Sequence, residues 1–406
     1  MRKWLFIVIL ILLLHLSGCG ANDNEFKESV FWWYYSGAAT EDGYFFVDNE
    51  YMLHFFDYQS GKTVYVCNKP ECPHKPAELL DPASFKCEAQ LPTNQFAVFN
   101  GGIYYFYNVA YNTLELRRRD LDGNNDRGLR RFKGQDISEA LFYRNSVILT
   151  KVIYSSETFD PATGNEDAFE FVLSVIDLTN HDETVCAKVI ADASGIVGPR
   201  NAIVLHDVAD GKISYYDESL AGYYEYDIAS GKVTRNEDIL VEQNPVNSPY
   251  AFAYKDYVYG IDNSDVTQHM LRKSLINSTE ELILSTDKRV LFDNYHTDNV
   301  LIMLATNESR IKSADNELYI YNTVTGELKE TKHPVIKTPA FVYPIFVTND
   351  GIFVKLAVDN EDESIGYDGT YETVYITFDE LISDRGTYIS VYTFFQEPSG
   401  TFSIIE

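Results

Sequence analysis

Basic residues are scarce in this chain: 33 Lys and Arg stand against 61 Asp and Glu among 406 residues, a formal charge of −28. A surface so acidic repels phosphodiesters and anionic headgroups, which argues against nucleic acid or anionic lipid as a partner and favours solubility outside a cell. Apolar residues do not recur at helical spacing, so helical repeats are excluded. No nucleophile elbow, phosphate loop or metallohydrolase helix motif is present, and the most legible hydrolase and nucleotide chemistries go with them. No linker divides the chain into two domains. What is abundant is aromatic: thirty Tyr and twenty-five Phe, residues that pair across neighbouring strands.

The organising stretch is Asp210 to Leu240. Asp210-Gly211 makes a turn, Ile213 to Tyr216 alternates as a strand, Tyr223 to Asp227 is a second strand, and Ala229-Ser230-Gly231 turns again into Lys232 to Thr234. With Ala202 to Leu205 upstream, the unit is four antiparallel strands. Asp or Asn opens the same turn at Asp42, Asn100, Asn145, Asp210, Asp256, Asn299 and Asp350, at intervals of 58, 45, 65, 46, 43 and 51 residues. A second turn recurs at Asp57 to Lys62, Asp120 to Gly123, Asp177 to Asn180, Asp227 to Lys232 and Asn322 to Glu327, weakens at Leu275 to Ser278, and is replaced by Ser383 to Gly386. Unexpanded units of about 45 residues have the period of a four-stranded propeller blade. A blade cannot bury both faces alone, whereas a ring of blades can. The expectation is an all-β chain, a β-propeller of about seven four-stranded blades over residues 29–396, with six and eight also compatible.

At the N-terminus Arg2 and Lys3 precede an apolar run from Leu5 to Leu14, and Leu16-Ser17-Gly18 stands directly before Cys19. The run is too short to span a bilayer comfortably and ends in small residues. This resembles a bacterial lipoprotein signal, which implies removal of residues 1–18, lipidation of Cys19, a tether over residues 19–28, and a location on the outer face of the cytoplasmic membrane. Losing Arg2 and Lys3 moves the formal charge from −28 to about −30. The aromatic stretch Ser29 to Tyr35 reads as the first strand of blade one, with an exposed platform for sugar stacking as the alternative. Residues 397–406 form a tail in which Thr401 to Ile405 is a short strand expected to pair with blade one and help close the ring.

Between blades one and two lies an insertion, Cys67 to Cys87, in which Pro70, Pro73, Pro76 and Pro82 oppose regular structure. Cys67, Cys72, His74 and Cys87 follow the spacing C-x4-C-x-H-x12-C. Setting aside Cys19, the remaining cysteine is Cys186, on the outer strand of blade three and out of reach. Three thiols cannot all pair among themselves, so a Cys3His site for Zn²⁺ accounts for all four side chains. The competing reading is one disulfide, such as Cys72 to Cys87, with Cys67 and Cys186 buried as small apolar residues. Elsewhere the Asp120, Asp122, Asn124, Asp126 spacing reads as a hairpin turn rather than a calcium loop, since no closing glutamate follows. The acidic run 359–363 and the polar insertion 154–170 read as solvated loops.

The candidates for catalysis are His206-Asp207 and His296 with Asp298, at or near the ends of inner strands in blades four and six; each also reads as an ordinary strand or surface residue. The lipobox, the Leu114 to Arg131 strand-turn-strand and the Cys67 to His74 segment together resemble TolB-like or kelch-like β-propeller lipoproteins, including uncharacterised surface lipoproteins of Gram-positive bacteria. The resemblance implies a lipid-anchored binding or scaffolding protein for an envelope partner, glycan or peptide at one mouth of the ring. A glycan-degrading enzyme, glycosidase or polysaccharide lyase, using the axial face is the alternative. Mass spectrometry of membrane fractions checks the N-terminal reading: the expected mature chain begins at a lipidated Cys19, and an unprocessed N-terminus or unmodified Cys19 contradicts it.

Overall fold

The structure is a computed structural model. It describes residues 29–404 except 33–36, 49, 78–80, 111–112, 155–167, 193–201, 218, 221, 237–251, 256, 263–266, 275–276, 278, 294–297, 306–316, 338–340, 349, 359–368 and 397–401. The signal and tether region, His296, the acidic run 359–363 and most of the insertion 154–170 therefore lie outside the described residues.

Seven four-stranded antiparallel sheets follow one another along the chain and close into a ring, a seven-bladed β-propeller with almost no helix. Blade four shows the plan. Ile203–Ala209 is innermost, followed outward by Lys212–Asp217, Gly222–Asp227 and Val233–Arg235. Its inner turn needs positive φ at both central positions, 51° at Asp210 and 77° at Gly211, which is why Asp-Gly stands there. The sandwiching of each blade follows from the two-residue period of a strand. In blade seven Gly351–Ala357 is buried throughout: Ile352, Val354 and Leu356 pack on Leu301, Met303 and Ile320 of blade six, while Phe353 packs on Tyr44 and Phe56 of blade one.

Two strands lie where the sequence did not place them. Ser29–Trp32 is not the first strand of blade one, which already has four, beginning with Gly37–Ala39. It pairs antiparallel with Gln135–Tyr143, the innermost strand of blade three, from Ser29 opposite Tyr143 to Trp32 opposite Ala140. That strand is nine residues long and offers its axial edge, whereas blade one's inner strand is three residues long. At the other terminus Phe402–Ile404 pairs with Ile389–Gln396 of its own blade, not with blade one. The intervening residues 397–401 are enough for a hairpin onto the edge the chain has just left.

Blades three and four are joined near the axis by a carboxylate. Glu139 Oε2 accepts from Leu205 N at 3.0 Å and from Thr150 Oγ1 at 3.1 Å. Both inner strands bulge here, with Ser138 and His206 as the extra residues. Burial pushes the Glu139 carboxyl up to about 7, against the opposing effect of its two hydrogen bonds. A folded pKa above the unfolded one means the native state binds the proton more tightly. Its stabilising contribution is full below about 4.5 and is lost as pH rises through about 7. Denaturation of wild type and Glu139→Gln across this range is expected to show wild type alone losing stability, by no more than about 3 kcal/mol. Parallel pH profiles for the two proteins contradict the assignment.

Candidate metal centre

The chain leaves blade one at Lys62–Tyr65 and enters blade two at Phe96–Phe99, and among its described residues the connection holds no regular element apart from a 3-10 turn at Pro82–Ser84. Within it Cys67, Cys72, His74 and Cys87 come together, one ligand atom from each, all within 4.8 Å of one another. Cys87 Sγ lies 3.6 Å from His74 Nδ1. Cys87 is buried and the other three are half-buried. All four described cysteines are free thiols. Cys186 stays apart on the outer strand of blade three, where burial pushes its thiol up to about 12.

Local contacts hold each ligand. His74 takes a left-handed backbone, φ 50°, and its ring stacks on Tyr65 at 4.4 Å with a 14° interplanar angle. Tyr65 in turn lies 4.4 Å from His54, whose Nε2 pairs with Asp48 Oδ2 at 2.7 Å. Met52 and Ala89 pack around Cys87. Gln90, fully buried, clamps the loop by accepting from Ala77 N at 2.8 Å and donating to Ala77 O at 3.2 Å.

Blade two supplies the far wall. Arg119 is 2 % exposed and donates to Glu88 O at 2.6 Å and Gln90 O at 2.7 Å, the carbonyls just after Cys87. Its other arm meets Asp126 Oδ2 at 2.7 Å. Burial opposes the charge of Asp126, but the guanidiniums of Arg119 and Arg117 and the Tyr105 hydroxyl hold its pKa below the ordinary carboxylate value. The Asp120 to Asp126 stretch is thus a hairpin turn in which Asp120 and Asp126 are taken up by arginines, with Arg118 on Asp120 at 2.6 Å, while Asp122 accepts from Asn68 and Asn124. Gly123, φ 89°, lies against this connection so closely that a Cβ would meet Val66 O at 2.6 Å and Glu88 O at 2.9 Å.

A convergent set of three thiols and an imidazole could hold a metal ion, and its softness suits zinc, copper(I) or iron with sulfur rather than magnesium or calcium. Burial raises the thiol of Cys87 to about 12. At Cys67 burial also works upward, but N–H groups of Lys69 and Glu88 and the thiols of Cys72 and Cys87 outweigh it, and the pKa falls.

Of the catalytic candidates, the described ones, His206, Asp207 and Asp298, do not assemble in this way, and His296 lies outside the described residues. His206 sits at a bulge, edge-on to Tyr223 at 5.7 Å, with no partner for Nε2 among the described residues, and burial draws its pKa down to about 4. Asp207 Oδ1 accepts from Val208 N at 2.7 Å, and Asp298 is engaged by Lys255 at 2.6 Å. The sequence reading missed Arg119, Gln90 and Gly123; only the unusual Arg117-Arg118-Arg119 run on a strand pointed to the first of them.

No family model matches the chain, and no curated protein matches it. Among solved structures it is similar to an uncharacterised protein of Listeria monocytogenes at 11% identity, covering 75% of this chain and 91% of that one, with a TM-score of 0.40. It is similar to the β-propeller domain of the Trilobed protease of Pyrococcus furiosus, at 11% identity over 76% and 95% of the two chains and a TM-score of 0.40. The oligogalacturonate lyase of Vibrio parahaemolyticus gives 11% identity over 75% and 80%, with a TM-score of 0.39. No activity passes to this chain from likenesses at that level.

Replacing Arg119 by Met leaves two carbonyls without their buried donor and Asp126 with only Arg117 and Tyr105 of its three partners. The expected cost is about 3–5 kcal/mol in denaturation of the metal-loaded protein, with metal affinity weakened about 10–100-fold in competition with a chelator. Unchanged affinity means that Arg119 does not position Cys87.

Proposed function

We propose that the chain is a lipid-anchored extracytoplasmic β-propeller that binds or scaffolds an envelope partner, glycan or peptide, and that Cys67, Cys72, His74 and Cys87 hold a structural Zn²⁺ ion. The observation that carries the metal reading is the convergence of four protein ligands from one connection. Structural zinc sites take four protein ligands, whereas catalytic ones keep a position open for water or substrate. When bound, the ion supplies cross-linking: it ties a proline-rich connection whose described residues hold little regular structure beyond one 3-10 turn, and its binding free energy offsets the entropy of ordering that segment. The role outside the cell rests on the Leu16 to Cys19 signal and on an acidity that disfavours nucleic acid. Binding is favoured over catalysis because His206 has no carboxylate partner among the described residues and burial holds it neutral at physiological pH.

Protein purified without chelator is expected to carry one equivalent of zinc, with its cysteines in this connection resisting alkylation until the metal is stripped. Less than about a tenth of an equivalent, with a two-dalton mass deficit mapping to residues 67–87, leaves a disulfide in its place. A glycan array followed by product analysis addresses the partner: retention without turnover is expected, and turnover abolished by His206→Ala overturns the binding role in favour of a glycan-degrading enzyme.

A further inference from the structure

The direction of the first strand fixes which face of the ring looks toward the membrane. The turns between first and second strands gather on one face and bond to one another across blades. Asn100 Nδ2 donates to Arg144 O at 2.6 Å, Gly211 N donates to Tyr143 Oη at 3.0 Å, and Lys255 Nζ meets Asp298 Oδ1 at 2.6 Å. The turns between third and fourth strands lean on the same face: Leu178 N donates to Asn145 O at 2.7 Å, Ile228 N to Gly211 O at 2.9 Å and Thr323 N to Asp298 O at 2.8 Å. The Asp48 to Met52 turn, between second and third strands, leaves from the opposite ends of the strands.

Ser29 lies opposite Tyr143, the last residue before the Arg144-Asn145 turn, and Trp32 lies opposite Ala140. The chain therefore enters at the turn-bearing face and runs away from it along the inner edge of blade three, beside the inner strand of blade two. Gly37–Ala39 then begins blade one and heads back toward its own inner turn. The first strand thus occupies the axial edge of the ring.

We propose that this turn-bearing face is the one held toward the lipid bilayer, the tether entering the ring there, so that the opposite face is presented outward as the binding mouth. The proposal rests on the reading of Cys19 as the anchor. Its physical basis is reach. From Cys19 to Ser29 is ten residues, which span no more than about 35 Å when fully extended. To leave the axis on this face and arrive at a membrane on the other side, the tether would have to cross a four-stranded blade and then climb the ring. Those distances are about 15–20 Å and about 30 Å, more than the segment can cover.

The charge of this face says how it is held. Asp57, Asp120, Asp177, Asp210 and Asp227 all lie in its turns, and the basic clusters that attach proteins to anionic headgroups are absent from the same described turns. The face is tethered near the membrane and does not adsorb to it.

The test uses the full propeller with residues 1–18 removed and residues 19–24 replaced by hexahistidine, held on vesicles containing nickel-chelating lipid, so that it does not depend on lipidation and the tether is no longer than the native one. A fluorophore is placed through an azido residue at Asn145 or at Glu50, both exposed and on opposite faces, and the acceptor is in the headgroups. Energy transfer at Asn145 is expected to be at least about twofold that at Glu50, the two positions being separated by the height of the ring, about 30 Å. Equal transfer, or greater transfer at Glu50, overturns the orientation. Untagged protein lacking residues 1–18 is expected not to float with phosphatidylserine vesicles, and flotation would show adsorption in place of tethering. Flotation of the full chain from its own membranes is read separately: its failure removes the anchor while leaving the entry face decided by the transfer experiment.

Discussion

One interface in this ring is not guaranteed by chain continuity, and the other six depend on it. Blades one and seven belong to opposite ends of the chain, and neither lends a strand to the other. Their contact is made by side chains. Tyr44 stacks on Phe353 at 4.1 Å, Phe46 on Tyr392 at 4.6 Å and Tyr58 on Tyr375 at 5.0 Å, while Thr63 Oγ1 donates to Val391 O at 2.7 Å. Each aromatic pair adds about 0.5–1.5 kcal/mol beyond the area it buries. Gly37 makes room for this packing: a Cβ there would lie 1.8 Å from the Tyr44 hydroxyl. Because the partners are some three hundred residues apart, the loop entropy comes due before the contact forms, which is the condition for slow closure of the ring.

The same aromatic face leads to the metal centre. Phe46, His54 and Tyr65 are direct cross-strand partners on the second, third and fourth strands of blade one. Their rings lie 5.0 and 4.4 Å apart, and His74 completes the column on Tyr65 at 4.4 Å. One end of the column is Tyr392 of blade seven and the other is His74 of the Cys/His cluster. The Cys/His connection is therefore packed against blade one through His74 and against blade two through Arg119 and Gly123. A cation there fastens two blades and abuts the face on which the ring closes.

The repeat was legible because its turns impose a chemical requirement. Asn100-Gly101 and Asp210-Gly211 carry positive φ at both positions, which few residues tolerate. Where Arg144 and Lys255 occupy the first of these positions, each at φ 51°, the turn begins one residue before the Asn145 and Asp256 that marked it. The Cys/His cluster was legible because its four residues fall within one short segment. Arg119, Gln90 and Gly123 were not, since their relation to that segment exists only once blade two has packed on blade one. Composition identified Ser29–Trp32 as a strand but carries no information on which edge it joins, and it joined blade three. Phe402–Ile404 was misplaced for the same reason.

The connection between blades one and two carries the central proposal, a Zn²⁺ ion held by Cys67, Cys72, His74 and Cys87. X-ray absorption at the zinc edge of the purified, unchelated protein measures it. Three sulfur ligands at about 2.3 Å and one imidazole nitrogen at about 2.0–2.1 Å are predicted, with no oxygen in the first shell. A shell containing water or carboxylate oxygen, or fewer than three sulfurs, contradicts a closed Cys3His centre.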